Sequence, residues 1–137
     1  MRNNMKQYQT INRESGIISA DPHTIISMLF GGIFESISVA RGAIIRKDFE
    51  TKSKQLNKAM SILRSLQYSL DSDSEPKISA NFYELYAYCI DCLTDVSVSL
   101  DCAKLDEVVE LLKPLAEAWK NIPENDKQEG FALLSAK

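Results

Sequence analysis

One histidine and three cysteines in 137 residues leave this sequence short of the side chains from which most catalytic and metal centres are built. A zinc site takes about four ligands. Beyond Cys89 and Cys92, spaced as C-x-x-C, the chain offers only Cys102 and the distant His23. The pair also falls in the middle of a helical pattern, where cysteine behaves as a small apolar residue. No serine or cysteine stands in a recognisable nucleophile signature with His23, which lies in the first turn of a helix, where the dipole disfavours its charged form. The carboxylates Glu35, Asp91, Asp95, Glu107 and Glu110 lack the Glu-x-x-His pairs that hold paired iron in helical bundles, and read as a solvated face. These shortages point away from an enzyme and from any cofactor or metal.

Charge of one sign is scarce as well. Sixteen basic residues against nineteen acidic ones leave a formal charge of −3, too balanced to draw nucleic acid or to lay a basic helix on an anionic membrane. Long apolar runs are missing: the greasiest, from Ile25 to Ile45, is interrupted by Glu35 and Arg41, so membrane insertion is not expected. The chain opens on polar residues without an apolar leader, and its thiols are odd in number, which fits a soluble protein in a reducing, cytoplasmic setting.

What the sequence does have is helical periodicity. An apolar share of 45% is ample for one core in a chain of this length. Residues 1 to 20 read as an irregular, mobile arm, with Met5, Tyr8, Ile11, Ile17 and Ile18 scattered among polar residues and Gly16 breaking any pattern. Asp21-Pro22 is a helix start: the carboxylate accepts from free first-turn N–H groups, and proline gives up an N–H that had no partner. Ile26, Leu29, Ile33, Ile37, Ala40 and Ile44 then recur in three- and four-residue steps, predicting a helix to about Lys47.

Asp48 caps a second predicted helix over 49–70, carried by Leu56, Ala59, Leu63, Leu66 and Leu70, and residues 71 to 77 have the composition of a turn. A third stripe runs through Phe82, Leu85 or Tyr86, Cys89, Leu93, Val96 and Leu100. A fourth runs through Leu105, Val108, Leu112, Leu115, Trp119 and Ile122, with Pro114 expected to bend it. Four such helices joined by short polar turns hide their stripes by packing antiparallel. The expected fold is therefore all-α, an up-down four-helix bundle over 21–122, with the irregular arm before it and a tail at 123–137 that could form a short docked helix.

Three features exceed what a plain bundle needs. Helix one carries Ile25, Met28, Phe30, Phe34 and Ile45 outside its simplest seam, so it is either central or borders a groove that takes an apolar partner. Gly31-Gly32 in mid-helix costs roughly 1 kcal/mol per residue relative to alanine, which suits a close backbone approach by a neighbouring helix or a bound peptide. Tyr83, Tyr86 and Tyr88 lie within one and a half turns and cannot all enter the core; they are either core and rim residues or part of a binding surface.

The order and spacing of several short segments resemble the flagellin-specific export chaperones, the FliS family, from about Tyr8 to Ile122. The segments are Tyr8 in the arm, Ala20-Asp21-Pro22-His23 leading into Met28-Leu29-Phe30-Gly31-Gly32, and Leu56-Asn57-Lys58-Ala59 with Ile62, Leu66, Leu70 and Asp71. Leu85-Tyr86-Ala87-Tyr88 and Ala118-Trp119-Lys120 complete the set. The resemblance implies an antiparallel bundle that takes up the C-terminal region of flagellin as helices in an apolar groove. It implies that burying those segments blocks premature polymerisation and assists delivery to the flagellar type III export apparatus.

By the same resemblance, Ile25, Met28, Leu29, Phe30, Lys58, Ile62 and Leu66 are groove candidates. Met5, Tyr8 and Ile11 in the arm would cover part of the groove until flagellin displaces them, and would then help present the complex to the export gate. Gly31 stands where the family commonly has an acidic residue, Glu75-Pro76-Lys77 replaces a more usual glycine pair, and Pro114 is unusual for the fourth helix. These departures motivate an alternative, a divergent paralogue that binds another flagellar protein such as an anti-sigma factor. A metal-dependent bundle enzyme is a third reading that lacks ligands. An exposed apolar groove would also favour a homo-oligomer.

Overall fold

A computed structural model describes residues 21–70, 73 and 76–122, and these form four helices: α1 (Pro22–Arg46), α2 (Phe49–Tyr68), α3 (Pro76–Ser99) and α4 (Cys102–Lys120). The expected arm, with Met5, Tyr8 and Ile11, and the tail, with its expected docked helix, lie outside the described residues.

The helix starts follow from local chemistry. Asp21 Oδ1 accepts from Thr24 N at 2.8 Å, with Pro22 in the first helical position. Asp48 Oδ1 accepts from Thr51 N at 3.2 Å, and Asp101 Oδ1 from Ala103 N at 3.0 Å. Each carboxylate satisfies an amide that has no partner inside its helix. The end of α1 is equally local. Lys47 adopts the left-handed conformation at φ 62°. This lets Lys47 N reach Ile44 O at 3.1 Å and Asp48 N reach Ala43 O at 2.8 Å. The paired bonds close the last carbonyls of α1 and turn the chain into α2 within two residues.

The helices pack in a ring. α1 lies against α2 and α4, and α3 against the same two neighbours. Bonds between helices give the directions. Lys52 near the start of α2 reaches the carbonyl of Ser97 near the end of α3. Gln67 near the end of α2 reaches that of Tyr83 near the start of α3. His23 at the start of α1 meets Trp119 at the end of α4, and Arg41 pairs with Asp106. Every neighbouring pair is therefore antiparallel, as an up-down bundle requires.

The stripes meet in one core. Ile26, Ile33 and Ile37 of α1, Leu63 and Leu66 of α2, Tyr86 and Leu93 of α3, and Leu105 and Leu112 of α4 are all buried. Each such side chain contributes on the order of 1.5–3 kcal/mol by leaving water. Of the three clustered tyrosines only Tyr86 enters the core, while Tyr83 and Tyr88 stay exposed. α2 ends two residues earlier than its stripe suggested, and α4 continues through Pro114 as one helix to Lys120.

Lys52 departs from the simple pattern, with 7% of its surface exposed. Its ammonium donates to Ser97 O at 2.9 Å and lies 5.6 Å from the centre of the Phe49 ring, so the buried charge has both a hydrogen-bond acceptor and an aromatic face.

One expectation is corrected. Despite Glu35 and Arg41, α1 is long and apolar enough, by length and composition, to cross a membrane. In the bundle α1 lies between two neighbours and buries Ile25 and Phe30 in addition to its central stripe, while Met28, Val39 and Ile45 stay exposed. A core helix of this kind passes the same hydropathy test as a spanning one.

Candidate functional site

Two helices that meet at both ends and part in the middle leave a groove, and α1 and α4 do this. At one end His23 Nε2 donates to the carbonyl of Trp119 at 2.7 Å, and Trp119 Nε1 donates back to the carbonyl of His23 at 2.9 Å. The two rings stack with centroids 5.0 Å apart. Toward the other end the Arg41 guanidinium donates to the Asp106 carboxylate. Between these closures lies a cavity of about 490 Å³, within the range of small binding sites.

α1 contributes Ser27, Phe30, Gly31 and Phe34 to the wall, one face of the helix at three- and four-residue spacing. α4 contributes Val109, Lys113, Ala116, Glu117 and Lys120, again one face. Phe30 is only 1% exposed and forms the floor, while Phe34 is half-buried. The Ser27 hydroxyl is shielded from water and has no hydrogen-bond partner.

The two adjacent glycines serve different ends. A Cβ on Gly32 would sit 3.0 Å from Ile62 Cδ1, so Gly32 lets α2 approach α1 closely. A Cβ on Gly31 would meet nothing within 4 Å, and Gly31 opens directly onto the groove. The close helix contact and the open surface anticipated for the pair are thus divided between its members.

The residues anticipated as partner contacts are also divided. Phe30 lines the groove, and Met28 and Lys58 are exposed on α1 and α2. Ile25, Leu29, Ile62 and Leu66 are buried. Of the candidates named on α1 and α2 only Phe30 lies in the groove lining, and the second wall comes from α4. Lys113, Glu117 and Lys120 carry the signal that was available: three charged residues at spacings of four and three on a helix whose opposite stripe is apolar.

The remaining polar groups have structural tasks. Tyr88 donates its hydroxyl to the Glu107 carboxylate, tying α3 to α4, and this bond raises the tyrosine pKa. Burial pushes the Cys89 thiol up to about 12 and raises that of Cys92 as well. Both therefore stay protonated near neutrality, which makes the C-x-x-C pair poor nucleophiles. Among the described residues no three of histidine, cysteine, aspartate or glutamate gather as metal ligands would.

Comparison with known proteins gives a consistent pattern. The family model described as "Flagellar protein FliS" matches residues 4–126. The flagellar secretion chaperone FliSB of Pseudomonas aeruginosa is 36% identical over 118 residues, covering 86% of this chain and 94% of that protein. The flagellar secretion chaperone FliS of Salmonella typhimurium is 36% identical over 119 residues, covering 86% and 88%. That of Vibrio cholerae is 28% identical over 123 residues, covering 90% of each.

Proposed function

The chain belongs to the FliS family of flagellar secretion chaperones, and from that premise we propose that it binds the C-terminal region of flagellin as a helix laid in the α1–α4 groove. The observation that carries this reading is the apolar opening at Gly31, floored by Phe30 and bounded by Phe34, Val109 and Ala116. A helix with one apolar face fits such a trough, since burying that face from water drives the association and needs no ATP.

In this reading flagellin is held in the cytoplasm with its polymerising segment covered, and is passed in that state to the type III export apparatus. Mass action suffices, because a partner that binds the segment lowers the concentration of chains able to polymerise. Phe30 contacts the occupant directly, Met28 and Lys58 meet neighbouring stretches of the client, and Ile25, Leu29, Ile62 and Leu66 hold the shape of the helices beneath. Met5, Tyr8 and Ile11 compete for the same apolar surface when the client is absent.

Calorimetric titration with a peptide spanning the C-terminal region of flagellin tests the reading. One-to-one binding with a large negative heat-capacity change is expected, as for coupled folding onto an apolar surface. Gly31→Leu would fill the groove and weaken binding by about tenfold or more. Gly31→Ala would add about 1 kcal/mol of helix stability and serve as the folded control. Unchanged affinity in Gly31→Leu would remove the groove from the binding site, and no binding by the wild type would reject flagellin as the client.

A further inference from the structure

We propose that the α1–α4 groove selects its helical occupant by charge, taking a helix whose flank toward α4 carries two carboxylates two turns apart, opposite Lys113 and Lys120. The inference rests on the reading above for the use of the groove and adds what the occupant must look like.

The groove is electrically one-sided. Ser27, Phe30, Gly31 and Phe34 give the α1 wall no charge, whereas the α4 wall carries Lys113, Glu117 and Lys120. All three are exposed. Glu117 follows Lys113 by four residues and precedes Lys120 by three, the spacing at which helical ion pairs form. Neither lysine nevertheless makes an ion pair among the described residues, whose salt bridges are Arg41–Asp106, Arg46–Asp48 and Lys104–Asp95. Among the described residues no carboxylate competes with an incoming chain for either ammonium group.

The dimensions agree. Lys113 and Lys120 are seven residues apart, two turns or about 10.5 Å along one helix face. The α1 side of the groove, from Ser27 to Phe34, spans the same seven residues. The His23–Trp119 contact and the Arg41–Asp106 pair close the seam on either side. An occupant helix lying along this stretch has the same rise, so acids at its positions i and i+7 face both lysines at once. Glu117 between them repels a third acid at i+3 or i+4, which makes the charge order as selective as the charge sign.

Three charges of alternating sign beside an apolar floor also separate this surface from a polyanion site, which needs a run of one sign. The matching partner is an amphipathic protein helix.

The test uses the full chain and two designed helical peptides that share one apolar stripe of leucine and phenylalanine. One has glutamate at both flanking positions and the other lysine. Fluorescence anisotropy at low ionic strength should give about tenfold tighter binding of the glutamate peptide, and the preference should shrink in high salt. The doubly charge-reversed protein, Lys113→Glu with Lys120→Glu, should prefer the lysine peptide, and Lys113→Gln with Lys120→Gln should lose the glutamate preference and, with Glu117 left as the wall's charge, lean weakly toward the lysine peptide. Equal binding of the two peptides, a glutamate preference that survives charge reversal, or no binding of either peptide would overturn the proposal. A flagellin C-terminal peptide titrated in parallel keeps the two readings apart. If flagellin binds while charge is ignored, the charge code fails alone; if flagellin does not bind while the glutamate peptide is preferred, the client assignment fails alone.

Discussion

His23 and Trp119 stand 96 residues apart in sequence and hold each other by two reciprocal hydrogen bonds, each ring nitrogen donating to the other residue's backbone carbonyl. The geometry fixes the tautomer, because the imidazole nitrogen that faces a carbonyl must carry the proton. Trp119→Phe keeps an aromatic ring for stacking and removes one donor, and should cost about 1 kcal/mol. Trp119→Ala removes the ring as well and should cost about 3–5 kcal/mol. Urea unfolding midpoints separate the two; equal losses would mean that the hydrogen bond, and not the ring, holds this end of the seam.

Asp48 gives the start of α2 a pH dependence of known sign. The Thr51 hydroxyl donates to its carboxylate at 2.7 Å and the Thr51 amide at 3.2 Å, and these bonds hold its pKa below the usual value. A carboxyl whose pKa is lower in the folded chain adds stability above its unfolded pKa and loses it as pH falls through the folded value. Asp48→Asn keeps a capping oxygen without the charge. The wild type should therefore exceed it in stability near pH 7, with the gap closing below the ordinary aspartate value of about 3.9. Denaturant titrations across pH would show a constant gap if the carboxylate were not the cause.

Lys47 and Leu100 share a left-handed backbone, φ 62° and φ 60°, yet glycine should act oppositely at the two positions. Relief of the left-handed strain is worth about 1 kcal/mol, and the extra freedom of glycine in the unfolded chain returns roughly 0.5 kcal/mol of that. Lys47 is exposed, so Lys47→Gly should be net stabilising by about 0.5 kcal/mol. Leu100 is half-buried, and losing its share of about 2 kcal/mol of apolar burial outweighs the relief. Thermal melts of the two variants should move in opposite directions.

The cysteines should react in a set order. Cys89 and Cys92 are buried and their thiols are held protonated, while Cys102 is partly exposed at the start of α4. A maleimide reagent at pH 8 should modify Cys102 in the native protein and reach the other two only after denaturant is added. Rapid native labelling of Cys89, read by mass spectrometry, would mean that α3 opens locally at low cost.

Much of the bundle was legible because its signals are local. Asp21-Pro22 and Asp48 cap their helices through amides three residues away, so sequence neighbours settle those boundaries. The apolar stripes likewise carry their own period. The groove was half legible. Gly31 and Phe30 marked its α1 wall, but its partner wall depends on which helix lies beside α1, and the same stripe would serve against any neighbour. The burial of Lys52 was invisible for a related reason, since its acceptor is a backbone carbonyl at Ser97, 45 residues away. Ile62, a groove candidate through the resemblance alone, faces Gly32 of α1 in the structure.

The late position of α4 has a consequence for synthesis. One wall of the groove comes from residues 27–34 and the other from 109–120, so the site does not exist on a nascent chain until residues through Lys120 have left the ribosome. Until then α1 carries its apolar face without its α4 neighbour, and the α1–α2 hairpin, closed by a two-residue turn, can form well before the seam that completes it. A stalled or truncated chain ending before Cys102 would thus expose a sticky helix and lack one wall of the groove proposed for the client, which makes translation through α4 the step that removes an aggregation hazard.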